Sequence, residues 1–271
     1  MPLRIAGSLF LLALGLVIAV PLVEILLTSL KETGEFYTNP IGWPQAPSLH
    51  RYVDLFKKQP MVTYFANSVI VAVTTVALVL LLATMIAYGI YRSKGRAGKI
   101  MFGLFLAGLL VPSQVNMIPI YSMIQQLGFT NSRTGLIVVS ASMMLPFSVF
   151  LITGFVRQLS RELFEAAAID GAGEWRMFLR IAVPLSVPPL AAAATLLFVG
   201  IWNDLLFPLL LISERSKLTL PLAMLQFRGE YGTDYPSLIT AVVVINVPMI
   251  VMFALLQKQF VAGISAGALK G

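Results

Sequence analysis

The chain has 271 residues, 58% of them hydrophobic and only 11% charged, with a formal net charge of +7. A soluble domain carries about 25% charged residues, so this is the composition of a membrane protein. There is no cysteine and a single histidine, His50, which leaves no disulfide framework, no thiolate metal site and no histidine cluster.

Roughly 20 apolar residues at about 1.5 Å rise cross a hydrocarbon core about 30 Å thick. Uncharged runs of that length recur along the chain. They predict an all-α polytopic membrane protein, one domain over 1–271, with six spanning helices near 5–30, 66–91, 100–127, 135–156, 184–212 and 236–257. The apolar run of the first helix, 5–23, is nineteen residues long. A cleaved signal usually has ~7–15, and no clear small-x-small site follows, so the helix is expected to remain as an anchor. Glu24 falls near its outer end, where a carboxylate reaches water, and is expected to act as an interfacial anchor. Residues 31–65 then form an external loop with Trp43, three prolines before residue 50 and mixed charges.

Orientation follows from the basic residues. The loop 92–99, RSKGRAGK, holds four basic residues and no acid, whereas 128–134 holds only Arg133. Short basic loops stay in the cytoplasm, which places 92–99 and both termini inside. On that assignment the cytoplasmic side carries eleven basic residues against the acids Glu162, Glu165, Asp170 and Glu174, and so the whole net charge. The positive charge therefore points to topology rather than to nucleic acid.

In the third helix Gln114 and Asn116 lie between Pro112 and Pro119. Proline removes a backbone donor and kinks a helix, which a membrane tolerates where neighbours or water satisfy the freed groups. Pro146, and Pro248 beside Asn246, mark similar places. Such kinks suit a cavity that opens and shuts, and they equally suit static packing.

Between the fourth and fifth helices lies a charged insert, 157–183. Ser160 is a candidate N-cap with Glu162 in the first turn. Residues 161–169, with three consecutive alanines, favour helix, and Asp170-Gly171 breaks it. A second short helix is expected over about 173–182, with Trp175, Phe178 and Leu179 on one face. The residues allow two readings: a knob that plugs a socket on another protein, or an amphipathic loop lying on lipid headgroups.

Ionisable groups inside a bilayer usually face a cavity or a partner. Asp204 in the fifth helix is the best candidate, and with Trp202 and Asn203 it supplies the aromatic face and polar groups that a sugar needs. The competing reading is that Asn203 and Asp204 cap a broken helix before Pro208, or bond to another subunit. A second external loop, 213–235, follows, and the chain ends in a Gly- and Ala-rich tail, 258–271.

The insert resembles the EAA loop of ABC importer permeases, whose pattern is E-A-A, three residues, G, nine residues, I-x-L-P. Glu165-Ala166-Ala167, Gly171 and Ile181-Ala182-Val183-Pro184 fall at that spacing, with Val183 in place of leucine. The segments IPIYSMIQQLGFTNSRTGLI (118–137), WNDLLFPLLL (202–211) and FVAGISAGALKG (260–271) are similar to the carbohydrate branch of that family, in particular to the shorter permease of the maltose-type pair.

The resemblance implies a transmembrane subunit of a binding-protein-dependent importer. It would move a mono- or oligosaccharide into the cytoplasm by ATP-driven alternating access, in a bacterial or archaeal plasma membrane. It implies as partners a second homologous permease, two cytoplasmic ATPase subunits that bind ATP and Mg, and an extracytoplasmic solute-binding protein. Glu165, Ala166, Ala167, Asp170, Gly171 and Ala172 would couple to an ATPase subunit, and Gly267 and Lys270 of the tail would touch the ATPases, unless the tail is simply a frayed terminus. The residues agree that nucleotide binds elsewhere. The nearest approach to the phosphate-cradling G-x-x-x-x-G-K-[ST] is Gly98-Lys99, with Ser93 and Ile100 at its two ends. No cofactor is expected on this chain. The alternatives are a permease for a non-sugar solute such as glycerol phosphate, or an ion-coupled secondary transporter. A membrane enzyme has few acids, bases or metal ligands to build from.

Overall fold

The computed structural model describes residues 2–93, 95–229 and 232–268. Among them almost every element is a helix. In chain order they are α1 (Pro2–Ser29), α2 (Thr33–Thr38), α3 (His50–Lys58), α4 (Met61–Arg92), α5 (Arg96–Leu109), α6 (Met117–Gln126) and α7 (Arg133–Val156). Next come α8 (Arg161–Ile169), α9 (Glu174–Met177), a π-helical turn (Phe178–Ala182), α10 (Val183–Leu185), α11 (Val187–Trp202), α12 (Leu206–Leu211), α13 (Leu220–Ala223) and α14 (Tyr235–Ala268). A short antiparallel ribbon pairs Arg228–Gly229 with Gly232–Thr233.

Among the described residues three helices are uninterrupted, long and apolar enough to cross a bilayer: Gly7–Ser29 within α1, α4 and α7. A fourth crossing is available if Glu174–Leu185 and Val187–Trp202, bent by 73°, count as one. Where the sequence predicts single helices over 100–127 and 184–212, the backbone is broken. The first becomes α5 and α6, separated at 110–116 around Pro112. The second bends at Ser186, where Pro188 and Pro189 have no N–H to offer, and stops again at 203–205. Pro146 and Pro248, by contrast, lie inside continuous helices.

The chain divides into two units. One comprises the chain up to Thr63 together with Leu222–Met249. Here Glu24, expected as an interfacial anchor, is tied to the loop that follows it. Its Oε1 accepts the Gly42 N–H at 2.9 Å and lies 3.8 Å from Lys31 Nζ. Lys31 is fully buried and donates to the carbonyls of Asn39 and Pro40 at 2.9 and 3.2 Å. The 31–48 loop is thus tied down by a pair of opposite charges whose remaining donors are satisfied. Asp234 caps α14, accepting the Ser237 N–H at 3.1 Å.

The other unit comprises Tyr64–Pro221 and the chain from Ile250. Its core lies among α4, α7 and α11. Ala83, Ala87, Ile90, Val149, Ile152, Val156 and Ala193 pack together, with Phe102 and Phe105 of α5 against them. Small residues at these crossings let helix backbones approach closely where lipid removes the usual hydrophobic drive. At one end, buried Asn67 donates to the carbonyls of Ser216 and Leu218 and accepts from Arg133. At Gly135 a Cβ would sit 2.2 Å from the Phe129 carbonyl, so only glycine lets the loop before α7 fold back.

Candidate functional site

The insert between α7 and α11 folds as an elbow. α8 covers the predicted residues, and its periodicity sends Phe164 inward, 1% exposed. Ser160 holds the N-cap position with extended backbone, but its side chain makes no capping bond, a departure from the expected cap. The C-terminus closes as anticipated. Gly171 takes φ +77°, and the Ala172 and Gly171 N–H groups donate to the carbonyls of Ala167 and Ala168 at 2.9 and 3.1 Å. This pair of bonds is the Schellman arrangement, which needs a residue at ease in the left-handed region.

Behind the turn lies an aromatic cluster. Tyr88 of α4, Phe164, Met177, Phe178 and Ala182 are buried together, with ring centroids of Tyr88–Phe178 and Tyr91–Phe164 at 5.3 and 5.4 Å. Ala167 and Ala172 pack against this cluster. Of the six residues expected to couple, those two therefore face inward, while Glu165, Ala166, Asp170 and Gly171 are exposed. Phe178 is buried, but Trp175 and Leu179, expected to share its face, are exposed. Ile169, at the tip and 86% exposed, escapes the motif; an isoleucine standing next to the helix-ending Asp170-Gly171 is the signal that could have found it.

Glu174, the first residue of α9, is held by α4. Its Oε2 accepts from Tyr88 Oη at 2.7 Å and its Oε1 from Arg92 Nη2 at 2.7 Å, with Arg92 Nε at 3.2–3.3 Å from both oxygens. The Arg92 guanidinium, and after it the Tyr88 hydroxyl, hold the Glu174 carboxyl below the usual glutamate range against a smaller opposing effect of burial. No sequence signal links these residues, because α4 and α9 lie far apart in the chain.

The second region is a cavity of about 570 Å³ walled by the 110–116 break, α7 and the α11–α12 break. Gln114, Asn116 and Asp204 all line it, joined by Ser113, Ser140 and Ser142; the serines of α7 were not anticipated. One Asp204 oxygen accepts the Leu206 N–H at 2.9 Å, so it caps α12, as the competing reading foresaw, while still facing the cavity. Asn203 is exposed, donates to the Val199 carbonyl at 2.9 Å and does not line the cavity. Trp202 is 2% exposed, stacked on Phe198 at 5.3 Å and edge-on to Phe65 at 6.1 Å. It presents no free face for stacking, because its ring is spent on packing. Gly267 falls in the last turn of α14, and Lys270 lies outside the described residues.

Comparison with known proteins bears on both regions. The family model described as "Binding-protein-dependent transport system inner membrane component" matches residues 79–265. The chain is 33% identical to the diacetylchitobiose uptake system permease protein NgcG of Streptomyces coelicolor, over 94% of this chain and 85% of that one. It is 32% identical to the melibiose/raffinose/stachyose import permease protein MelC of Bacillus subtilis, over 93% and 91%. A chain from the crystal structure of a bacterial ABC transporter that imports the acidic polysaccharide alginate shares the fold, with TM-score 0.84, 19% identity and coverage of 95% and 96%. Because the family match takes in the elbow, its Glu174 bonds to α4 and the whole cavity wall, the chain belongs to the inner-membrane components of binding-protein-dependent transport systems.

Proposed function

We propose that this permease carries a sugar into the cytoplasm, with 161–172 seated in a partner ATPase subunit and the 110–116 and 203–206 breaks lining the path. The elbow carries the reading. A rigid glycine turn presents small and aliphatic side chains, backed by an aromatic cluster that resists being pushed in. Exposed alanine and glycine let a second backbone come close, and Glu165 offers a charge for a basic partner residue. ATP and Mg bind the ATPase subunits, whose closure drives the elbow. The elbow moves α7 and α11, to which the chain connects it directly, and the cavity changes the side on which it opens.

A sugar is supported by the saccharides in the relatives' names and by the hydroxyl and amide groups of the wall. The cavity volume lies within the range of about 300–1,000 Å³ usual for small-molecule sites. The full assembly has this chain, a second and different permease, two ATPases and a solute-binding protein. Both termini of this chain lie on the cytoplasmic side.

Uptake of labelled oligosaccharide into proteoliposomes holding that assembly tests the reading. Uptake is expected to require ATP, the ATPase and the binding protein, and Glu165→Ala is expected to abolish it while the chain still inserts. Uptake driven by an ion gradient without the ATPase would overturn it, as would normal transport by Glu165→Ala.

A further inference from the structure

A push on the elbow reaches α7 and α11 through the chain itself, but α4 has no such connection. The structure supplies one. Tyr88 and Arg92 are four residues apart, so they project from the same face of the last turns of α4. Between them they hold both oxygens of Glu174, the residue that begins the second arm of the elbow. One span thus grips the elbow through a forked guanidinium and a phenol, and Tyr91 adds a bond from its hydroxyl to the Leu159 carbonyl at 3.1 Å.

We propose that Tyr88, Arg92 and Glu174 form a latch that passes displacement of the elbow into α4, with Glu174 as a positioning residue for coupling. The proposal rests on the reading that the elbow docks on an ATPase. Apolar contact is non-directional, so the aromatic cluster alone lets α8 and α9 slide across α4 when pushed sideways. A bidentate charge-assisted pair fixes both distance and angle, which converts sliding into joint movement. The latch also lies on the water-exposed side of the cluster, with the Glu174 side chain 58% exposed. Exposed pairs add little to stability, so the cluster supplies the hold and the latch supplies the direction.

The assembled transporter in liposomes tests this through sugar moved per ATP hydrolysed. E174Q is expected to lower that ratio about threefold, the order for removing the charge from one exposed ion pair, with the ATPase subunit still co-purifying. R92E is expected to do the same, and the double exchange R92E/E174R to recover most of the loss. A wild-type ratio in both single variants overturns the latch. So does a double exchange no better than the singles, or loss of the ATPase subunit from E174Q. Glu165→Ala serves as the control. If it transports normally with its ATPase bound, the docking reading itself fails; if it is inactive while E174Q is normal, only the latch fails.

Discussion

At the elbow, a helix is stopped by one glycine at φ +77° and its loose ends are bonded at once, with five buried side chains packed directly behind. At the cavity wall, helices are stopped by Pro112 and by the turn at 203–205, and beside those breaks lies a space of about 570 Å³ lined by polar and apolar side chains alike, with the Asp204 carboxylate capping α12. Both interruptions have buried side chains beside them, Trp202 and Phe207 at the second, but only the second opens onto a cavity. The comparison separates two mechanical duties within one unit. A break that must transmit force is filled in, whereas a break that must change shape is left beside a space into which its backbone groups can turn.

The sharpest way to break that contrast is to spoil each interruption in turn. Proline fixes φ near −65° and cannot occupy +77°, so Gly171→Pro is expected to cut ATP-driven uptake by roughly a hundredfold or more and to release the ATPase subunit on purification. Pro112→Ala, which only restores a donor at a wall already broken, is expected to keep uptake within about threefold of wild type. Equal losses in the two variants would mean that the elbow is no more rigid than the wall.

A second pair of substitutions separates the filling of the elbow from its face. Phe164 is 1% exposed and Ile169 86%. Truncating a buried phenylalanine costs about 3–5 kcal/mol, so Phe164→Ala is expected to lower the melting temperature of the purified complex by several degrees. Ile169→Ala is expected to leave melting unchanged and to weaken retention of the ATPase subunit on the column. Melting that falls equally in both would show that the tip is not a free surface.

What the sequence discloses follows the same division. The elbow's first helix and its stop are legible because their signals are local, alanines and then Asp-Gly, each acting within four residues; the face of the second arm is not, since Trp175 and Leu179 are exposed beside buried Phe178. The prolines announce only some of the breaks: Pro112 marks one, whereas Pro146 and Pro248 lie inside continuous helices and 203–205 holds no proline. Hydropathy measures how long an apolar run is and not where it turns, so 100–127 and 184–212 read as rods although the first breaks at 110–116 and the second at 203–205. Trp202 beside Asn203 has the composition of a sugar platform, but burial turns that ring into packing, and nothing in a single sequence reports it. The Tyr88–Arg92–Glu174 latch is illegible for another reason. Its members are brought together from sequence separations of 82 and 86 residues, with no spacing rule to connect them.

At the wall, Asp204 is asked to do two things, and the substitution chosen separates them. Asparagine accepts a backbone N–H about as well as aspartate at the start of a helix, so Asp204→Asn is expected to keep α12 capped and uptake within about threefold. Asp204→Leu removes the acceptor and leaves the Leu206 N–H unpaired at about 1–3 kcal/mol, with uptake expected to fall roughly tenfold. If the asparagine variant is as inactive as the leucine variant, the charge itself acts on the solute, and the wall is chemically more specific than its amides and hydroxyls imply.

The smallest effect expected is the absence of one, and it bears on what holds the elbow to α4. Arg92 keeps the Glu174 carboxyl below its ordinary value of 4.5. A depressed carboxylate contributes its hold in full above the ordinary value, and that hold is lost only as pH falls through the lower folded value. Sugar moved per ATP is therefore expected to stay flat from about pH 8 to about pH 5, where a histidine-based contact would titrate near 6.5. A decline centred near pH 6 in the wild type, retained in E174Q, would place the pH-sensitive link elsewhere than at this carboxylate. A flat profile, combined with the loss in E174Q, assigns the directional part of the elbow's grip to a pair that stays charged across that range.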